Sequence, residues 1–251
     1  MPHITDTITT ADGTCTVQLF TPDGDGPWPG VVMYPDAGGV RDTFRDMAAK
    51  LAGFGYAVLL PDVYYRHGNW EPLDMRTAFS DPAERRRLMS MVGSVTPDMM
   101  ARDAAAFFDY LTGRPEVKGD RFGTTGYCMG GRTSLVVAGR QPERVAAAAS
   151  FHGGGLATES PDSPHLLADR IQAAVYVAGA QNDGSFTPEQ AEQLDKALTA
   201  AGVEHTIETY PAEHGFAVPD NPPYDESAAE RHWAAMRDFF GAKLAGRAAT
   251  R

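Results

Sequence analysis

The stretch that most limits how this chain folds is Phe122-Gly123-Thr124-Thr125-Gly126-Tyr127-Cys128-Met129-Gly130-Gly131, a strand-like run that meets glycines and then helix-forming residues with no connecting loop. A chain that passes from strand to helix within a few residues must turn very sharply. The residue at the corner is then strained, and the positions two before and two after it must lack side chains that would collide. Gly126 and Gly130 stand at those positions, with Cys128 at the corner. Such a turn lifts the cysteine sulfur above the sheet. The Met129 amide, at the start of the helix, can face a developing oxyanion, and the helix dipole favours thiolate. The same glycines also suit two plainer arrangements, a helix packing closely on a strand or a backbone cradle for phosphate. A dinucleotide-binding turn normally falls in the first strand–helix unit, with an acidic residue about twenty positions later. Here the turn lies in mid-chain, and the region that follows reads Gln141-Pro142-Glu143-Arg144 ahead of another strand.

The surrounding pattern supplies a sheet for this corner. Short β-branched or apolar runs at 30–35, 56–60, 122–126, 145–151, 174–178 and 205–210 each end near Pro, Gly or Asp, as buried strands do. Segments with apolar residues at three- and four-residue intervals lie between them, at 43–53, 97–111, 130–139, 188–201 and 227–244. This alternation predicts an α/β fold with a mostly parallel central sheet and helices on both faces. With 251 residues and 43% apolar content, one domain over 1–244 is expected. Residues 66–97 have weak periodicity and could form a partly helical cap, and 245–251 read as a frayed tail.

Charge and cysteine usage narrow the function. The net charge of -11 argues against nucleic acid or an anionic membrane surface, which require clustered Lys and Arg. No window approaches the length of a membrane span, and the polar start lacks a secretory pattern, so a cytoplasmic location is expected. The two cysteines, Cys15 and Cys128, cannot build a disulfide framework and provide no zinc motif. Cys15 lies in the alternating run 14–20 and reads as a packed strand residue.

A nucleophile at such a corner needs a base and an orienting acid, which α/β-hydrolases place in the order nucleophile, acid, base. Asp183 follows the strand at 174–178, and His214 follows the strand at 205–210. Strand C-termini are where open α/β sheets form their sites. Taken singly, Asp183 could be an Asx turn beside Gly184 and His214 a surface histidine. His3, His67, His165, His205 and His232 read as surface or packing residues. His152, before Gly153-Gly154-Gly155, could line the pocket or be a hydrogen-bonded structural histidine.

With these residues in place the chain resembles the dienelactone hydrolase family of α/β-hydrolases over nearly its whole length. The likeness is carried by Gly126-Tyr127-Cys128-Met129-Gly130-Gly131, by Asp183, by His214-Gly215-Phe216 and by Pro35-Asp36-Ala37-Gly38-Gly39-Val40. It implies an α/β-hydrolase fold and a carboxylic ester hydrolase, carboxymethylenebutenolidase-like, with a Cys128-His214-Asp183 triad. Ala37 is implied as the second oxyanion amide beside Met129. The family usually carries Glu where Asp36 stands, there to activate the thiol; Asp36 is one methylene shorter and reads equally as a turn residue or helix cap. Members that take dienelactone hold its carboxylate with arginines. One falls where this chain has Val218, and the other could be matched by Arg85, Arg86 or Arg87, a run that also reads as a solvated helix face. The expected ligand is a small-molecule ester or lactone, with no metal and no organic cofactor implied. Two readings from other classes stand beside this one: a non-catalytic small-molecule binding protein on the same fold, and a redox protein acting through Cys128.

Overall fold

The computed structural model describes residues 2–244; the tail expected over 245–251 lies outside them. Its strands are β1 (His3–Thr10), β2 (Gly13–Phe20), β3 (Trp28–Tyr34), β4 (Ala57–Pro61), β5 (Val117–Tyr127), β6 (Val145–Phe151), β7 (Ala174–Ala180) and β8 (His205–Tyr210). Its helices are α1 (Asp42–Ala52), α2 (Pro82–Gly93), α3 (Pro97–Thr112), α4 (Met129–Arg140), α5 (Pro188–Ala200) and α6 (Glu226–Leu244). The strands form one sheet in the order β1-β2-β4-β3-β5-β6-β7-β8. β1 and β2 pair antiparallel, β2 joins β4 antiparallel, and every later pairing is parallel. This is the α/β-hydrolase architecture that the sequence predicts.

Two cores follow from the two-residue repeat of the central strands. On β3, Val31 and Met33 face one side while Val32 and Tyr34 face the other; on β4, Val58 and Leu60 oppose Ala57 and Leu59. The first side is covered by α1 through Phe44, Met47 and Leu51, and by α6 through Trp233, Met236 and Phe240. The second is covered by α3, α4 and α5 through Phe107, Phe108, Leu135, Val137, Leu194 and Leu198. Burying each large apolar side chain contributes roughly 1.5–3 kcal/mol relative to exposure. The inner stripes, more than helix propensity, therefore hold these helices in place.

Two elements escape the pattern. β1 buries only Ile8, so its polar alternating residues carry no apolar signal. Backbone pairing with β2 from His3↔Phe20 to Thr10↔Gly13 makes it a strand. α2 buries only Leu88 and Met91, which explains the weak periodicity of 66–97. It is set by local chemistry at its start: Asp81 accepts from the Ala83 and Glu84 amides, and Pro82 occupies the first turn.

Below the corner at Cys128, α6 packs His232 against the end of β5. The Ala229 carbonyl, 2.6 Å from His232 Nδ1, can only accept, so Nδ1 carries the proton and Nε2 accepts from the Tyr127 hydroxyl at 3.0 Å. Burial pushes this ring down to about 3. The unfolded chain therefore takes up a proton at His232 below pH of about 6.5 that the folded chain refuses until about 3. Stability is lost as pH falls through that window, at roughly 1.4 kcal/mol per pH unit. We expect His232→Gln to flatten this acid slope, so that its deficit relative to wild type in urea unfolding shrinks by about 2 kcal/mol between pH 7 and pH 5. Parallel pH dependences in the two proteins would mean that His232 titrates normally.

Candidate active site

β5 runs into Cys128, whose backbone stands at φ 54°, ψ -115°, and α4 begins at the next residue. A non-glycine residue with positive φ is strained, and the neighbours show why the chain accepts it here. A Cβ added at Gly126 would strike the Gly130 carbonyl, and one at Gly130 would strike the carbonyls of Tyr34 and Pro35. The corner is pinned by the Cys128 amide, which donates to the Phe151 carbonyl at 3.1 Å, and by the Gly131 amide, which donates to the Cys128 carbonyl at 3.0 Å. Cys128 is partly exposed. Cys15, by contrast, is fully buried on β2 and rests its thiol on the Asp62 carbonyl; burial first, then nearby carboxylates, pushes that thiol up.

Asp183 and His214 come together from the ends of β7 and β8. His214 Nδ1 donates to Asp183 Oδ2 at 2.7 Å, with the aspartate side chain 4% exposed and the histidine side chain 33%. The other oxygen, Asp183 Oδ1, accepts from the Ser185 amide at 2.8 Å and from its hydroxyl at 2.6 Å. Ser185 carried no signal in the sequence. Burial alone would drive the His214 ring towards neutrality, but the Asp183 carboxylate and the Cys128 thiol beside it outweigh burial and raise it to about 10. Burial likewise opposes the charge on Asp183, yet His214 and Ser185 hold its carboxyl below the usual range. With Nδ1 committed to Asp183, Nε2 is the nitrogen free to exchange a proton.

Ala37 and Met129 meet through Tyr64. The Tyr64 hydroxyl donates to the Ala37 carbonyl at 2.8 Å and lies 3.7 Å from Met129 Sδ. Met129 opens α4, so its amide has no partner within the helix. Asp36, 2% exposed, is saturated. Its Oδ1 accepts from the Gly38 amide at 2.9 Å and Arg41 Nη1 at 2.7 Å, and its Oδ2 accepts from Arg41 Nη2 at 3.0 Å and Asn221 Nδ2 at 3.2 Å. Of the two readings of Asp36 without a thiol contact, the turn is present and the cap is not. The side chain bonds the amide two residues on, whereas the residue preceding α1 is Arg41 and makes no side-chain cap.

His152 is fully buried, with φ 39°, and sits edge-to-face on His214 at 5.2 Å and on Phe216 at 5.1 Å. Neither ring nitrogen has a partner among the described residues, and burial first, then the two neighbouring histidines, pushes its pKa well below the ordinary value. Val218 is fully buried in the core beside Phe216 and Ala217, so it borders no open surface. Arg85 and Arg86 point to solvent from α2. Arg87 is tied to Glu84 Oε2 at 3.3 Å and to the Glu71 carbonyl. Among the described residues no group of three or more His, Cys, Asp or Glu is arranged to hold a metal ion, and no helix is long and apolar enough to cross a membrane.

The chain has relatives among known proteins. Residues 16–244 match the model of the dienelactone hydrolase family. A carboxymethylenebutenolidase of Rhodococcus opacus is 29% identical over 244 residues, covering 95% of this chain and 91% of the relative. The crystal structure of a dienelactone hydrolase-like promiscuous phosphotriesterase from metagenomic libraries superposes with a TM-score of 0.77 at 28% identity, covering 97% of this chain and 100% of that one. A dienelactone hydrolase from Anabaena variabilis shares the fold, with a TM-score of 0.66 at 18% identity over 97% of this chain and 98% of that one. A family match across nearly the whole length, with a sharp corner after β5 and an acid and a histidine after β7 and β8, leads to one conclusion: this chain belongs to the dienelactone hydrolase family of α/β-hydrolases.

Proposed function

We propose that the chain hydrolyses small, uncharged carboxylic esters or lactones with Cys128 as nucleophile, His214 as base and Asp183 as the residue that orients it. The observation that carries this reading is the 2.7 Å bond from His214 Nδ1 to Asp183 in a ring that also borders the strained corner at Cys128. In the first step the thiol passes its proton to Nε2 of His214, whose ring is held in place by Asp183, giving a thiolate and an imidazolium. The sulfur attacks the carbonyl carbon, and the carbonyl oxygen takes the negative charge facing the amides of Met129 and Ala37. As the intermediate collapses, the C–O bond breaks and the imidazolium gives its proton to the departing alkoxide, leaving a thioester on Cys128. Water then attacks the thioester with His214 as base, releasing the acid and restoring the thiol proton. A thiolate adduct expels alkoxides far more readily than amines, so esters and enol lactones are the substrates. Asp36, with its oxygens occupied, is assigned to pairing with Arg41 rather than to activating the thiol.

The preference for an uncharged substrate follows from the charges near the site. Arg41 is already shared between Asp36 and Asp220, a cluster carrying more negative than positive charge. Val218 stands where a carboxylate-binding arginine would be expected, and Arg85 and Arg86 face away into solvent. Lacking a charge-assisted pair costs on the order of 1.5–3 kcal/mol of binding.

Three outcomes are expected. Iodoacetamide labels Cys128 ahead of Cys15 and abolishes turnover of an aryl ester, measured by peptide mapping alongside the activity assay; labelling of Cys15 with activity intact would exclude the cysteine corner. Separately, His214→Ala and Asp183→Asn each lower kcat by roughly a thousandfold while near-ultraviolet circular dichroism stays unchanged. Wild-type turnover in His214→Ala would overturn the triad, whereas a peroxide-dependent product at Cys128 with no ester hydrolysis would favour a redox protein. Finally, kcat/KM for a neutral lactone exceeds that for a carboxylated dienelactone of similar size by about tenfold or more; the opposite preference would reveal a cation in the pocket that this reading lacks.

A further inference from the structure

A buried arginine that neither the corner nor the triad explains joins two loops at the site. Arg41 is 6% exposed, and each of its five N–H groups is used. Nη1 donates to Asp36 Oδ1 at 2.7 Å and to the Gly39 carbonyl at 3.2 Å; Nη2 donates to Asp36 Oδ2 at 3.0 Å and Asp220 Oδ1 at 2.7 Å; Nε donates to Asp220 Oδ2 at 2.6 Å. The guanidinium also lies over the Phe44 ring at 4.9 Å, which fixes it to α1. One fork therefore grips the loop that carries Ala37, and the other grips the loop that follows His214.

The two loops are not equally secure without it. His214 is held by Asp183 and by the ring contact with His152. Three turns, Phe216 amide to Glu213, Val218 amide to Gly215 and Asn221 amide to Val218, and a bond from the Asp225 amide to Phe216 cross-link the 213–225 loop. Within the loop after β3 the backbone closes one turn, from the Gly39 amide to the Asp36 carbonyl at 3.0 Å. Apart from Arg41 and Asn221, the side-chain bonds that hold it are the Tyr64 hydroxyl on the Ala37 carbonyl and the Asp36 carboxylate on the Gly38 amide.

We propose that Arg41 is a positioning residue: its two carboxylate forks fasten the Asp36–Ala37 segment to the 213–225 loop and so fix the Ala37 amide relative to Met129. The inference rests on the oxyanion assignment made under the proposed function. Lysine keeps the charge at this position but, as a point cation with three donors, cannot span both carboxylates as a planar fork.

The test compares two reactions of the same cysteine. Alkylation by iodoacetamide needs the thiolate but no oxyanion site, whereas ester hydrolysis needs both. In Arg41→Lys, kcat for an aryl ester is expected to fall about a hundredfold, as when an oxyanion donor is misplaced. KM should stay within about threefold and the alkylation rate of Cys128 within about twofold of wild type. Asp220→Asn, which leaves the Asp36 fork intact, should fold where Arg41→Lys is unstable and should lower kcat by about tenfold with the same unchanged alkylation. Equal losses of alkylation and hydrolysis would place the action of Arg41 on the thiol or on His214 and overturn the proposal. So would variants with a lower Tm but wild-type kcat. If Cys128→Ala still hydrolyses the ester, the failure belongs to the functional reading itself, and the two cases are told apart by that control.

Discussion

The sharp corner at Cys128 is the constraint on which the rest of the site depends. To hold φ 54° on a cysteine, the chain brings α4 back against the sheet so closely that Gly130 lies on the carbonyls of Tyr34 and Pro35. The next residues along from Pro35 are Asp36 and Ala37. The contact that makes the corner possible therefore also brings the Asp36–Ala37 loop to the same end of the sheet as Cys128. The Cys128 amide, bonded to Phe151, ties the corner to the end of β6, and the residue after Phe151 is His152, whose ring backs His214. The parts of the site are thus close neighbours of one steric event, at the edge where parallel strands end.

Electrostatics divides the buried acids of this region into two kinds. Asp183 faces an imidazole that can gain and lose a proton, and its charge sets the proton affinity of His214. Asp36 faces a guanidinium that does not deprotonate. The first pair can take part in proton transfer and the second cannot. A buried ion pair adds little net stability, because desolvating both groups offsets their attraction, yet removing one partner leaves an uncompensated charge at a cost of roughly 3–5 kcal/mol. Such a pair serves geometry better than stability. His152 completes the arrangement: burial and the neighbouring histidines disfavour charge on its ring, which backs His214 edge-to-face.

The sheet and its helices were legible because most of their residues are buried on one or both faces, where burial imposes a repeat. The runs at 145–151 and 205–210 coincide with β6 and β8, and α1, α3, α4, α5 and α6 begin within one residue of their expected starts. β1 and α2 were not legible, since His3–Thr10 is stabilised by backbone pairing and Pro82–Gly93 by its cap, and neither leaves an apolar pattern. At the site, Asp183 and His214 could be read because they follow strands in a fixed order, and the structure joins them. Ser185, Tyr64, Arg41 and Asp220 could not. Arg41 and Asp220 are 179 residues apart, and nothing in either neighbourhood marks a buried ion pair. Val218, which the resemblance places at the pocket, is fully buried beside Phe216 and Ala217.

The engagement of Asp36 bears on how the thiol is activated. A carboxylate that borrows a thiol proton and releases it on substrate binding must be able to leave its resting partner, and the length of the side chain is a secondary matter. Asp36 is bonded to Arg41 through both oxygens and receives two further hydrogen bonds. To reach the sulfur it would have to abandon a buried, charge-assisted fork with nothing to replace it. Charge compensation for the thiolate must then come from His214, whose proton affinity is already raised by Asp183 and Cys128 together. In the proposed mechanism the thiol proton therefore passes to His214, and the fork that occupies Asp36 is the same one that holds the Ala37 loop in place.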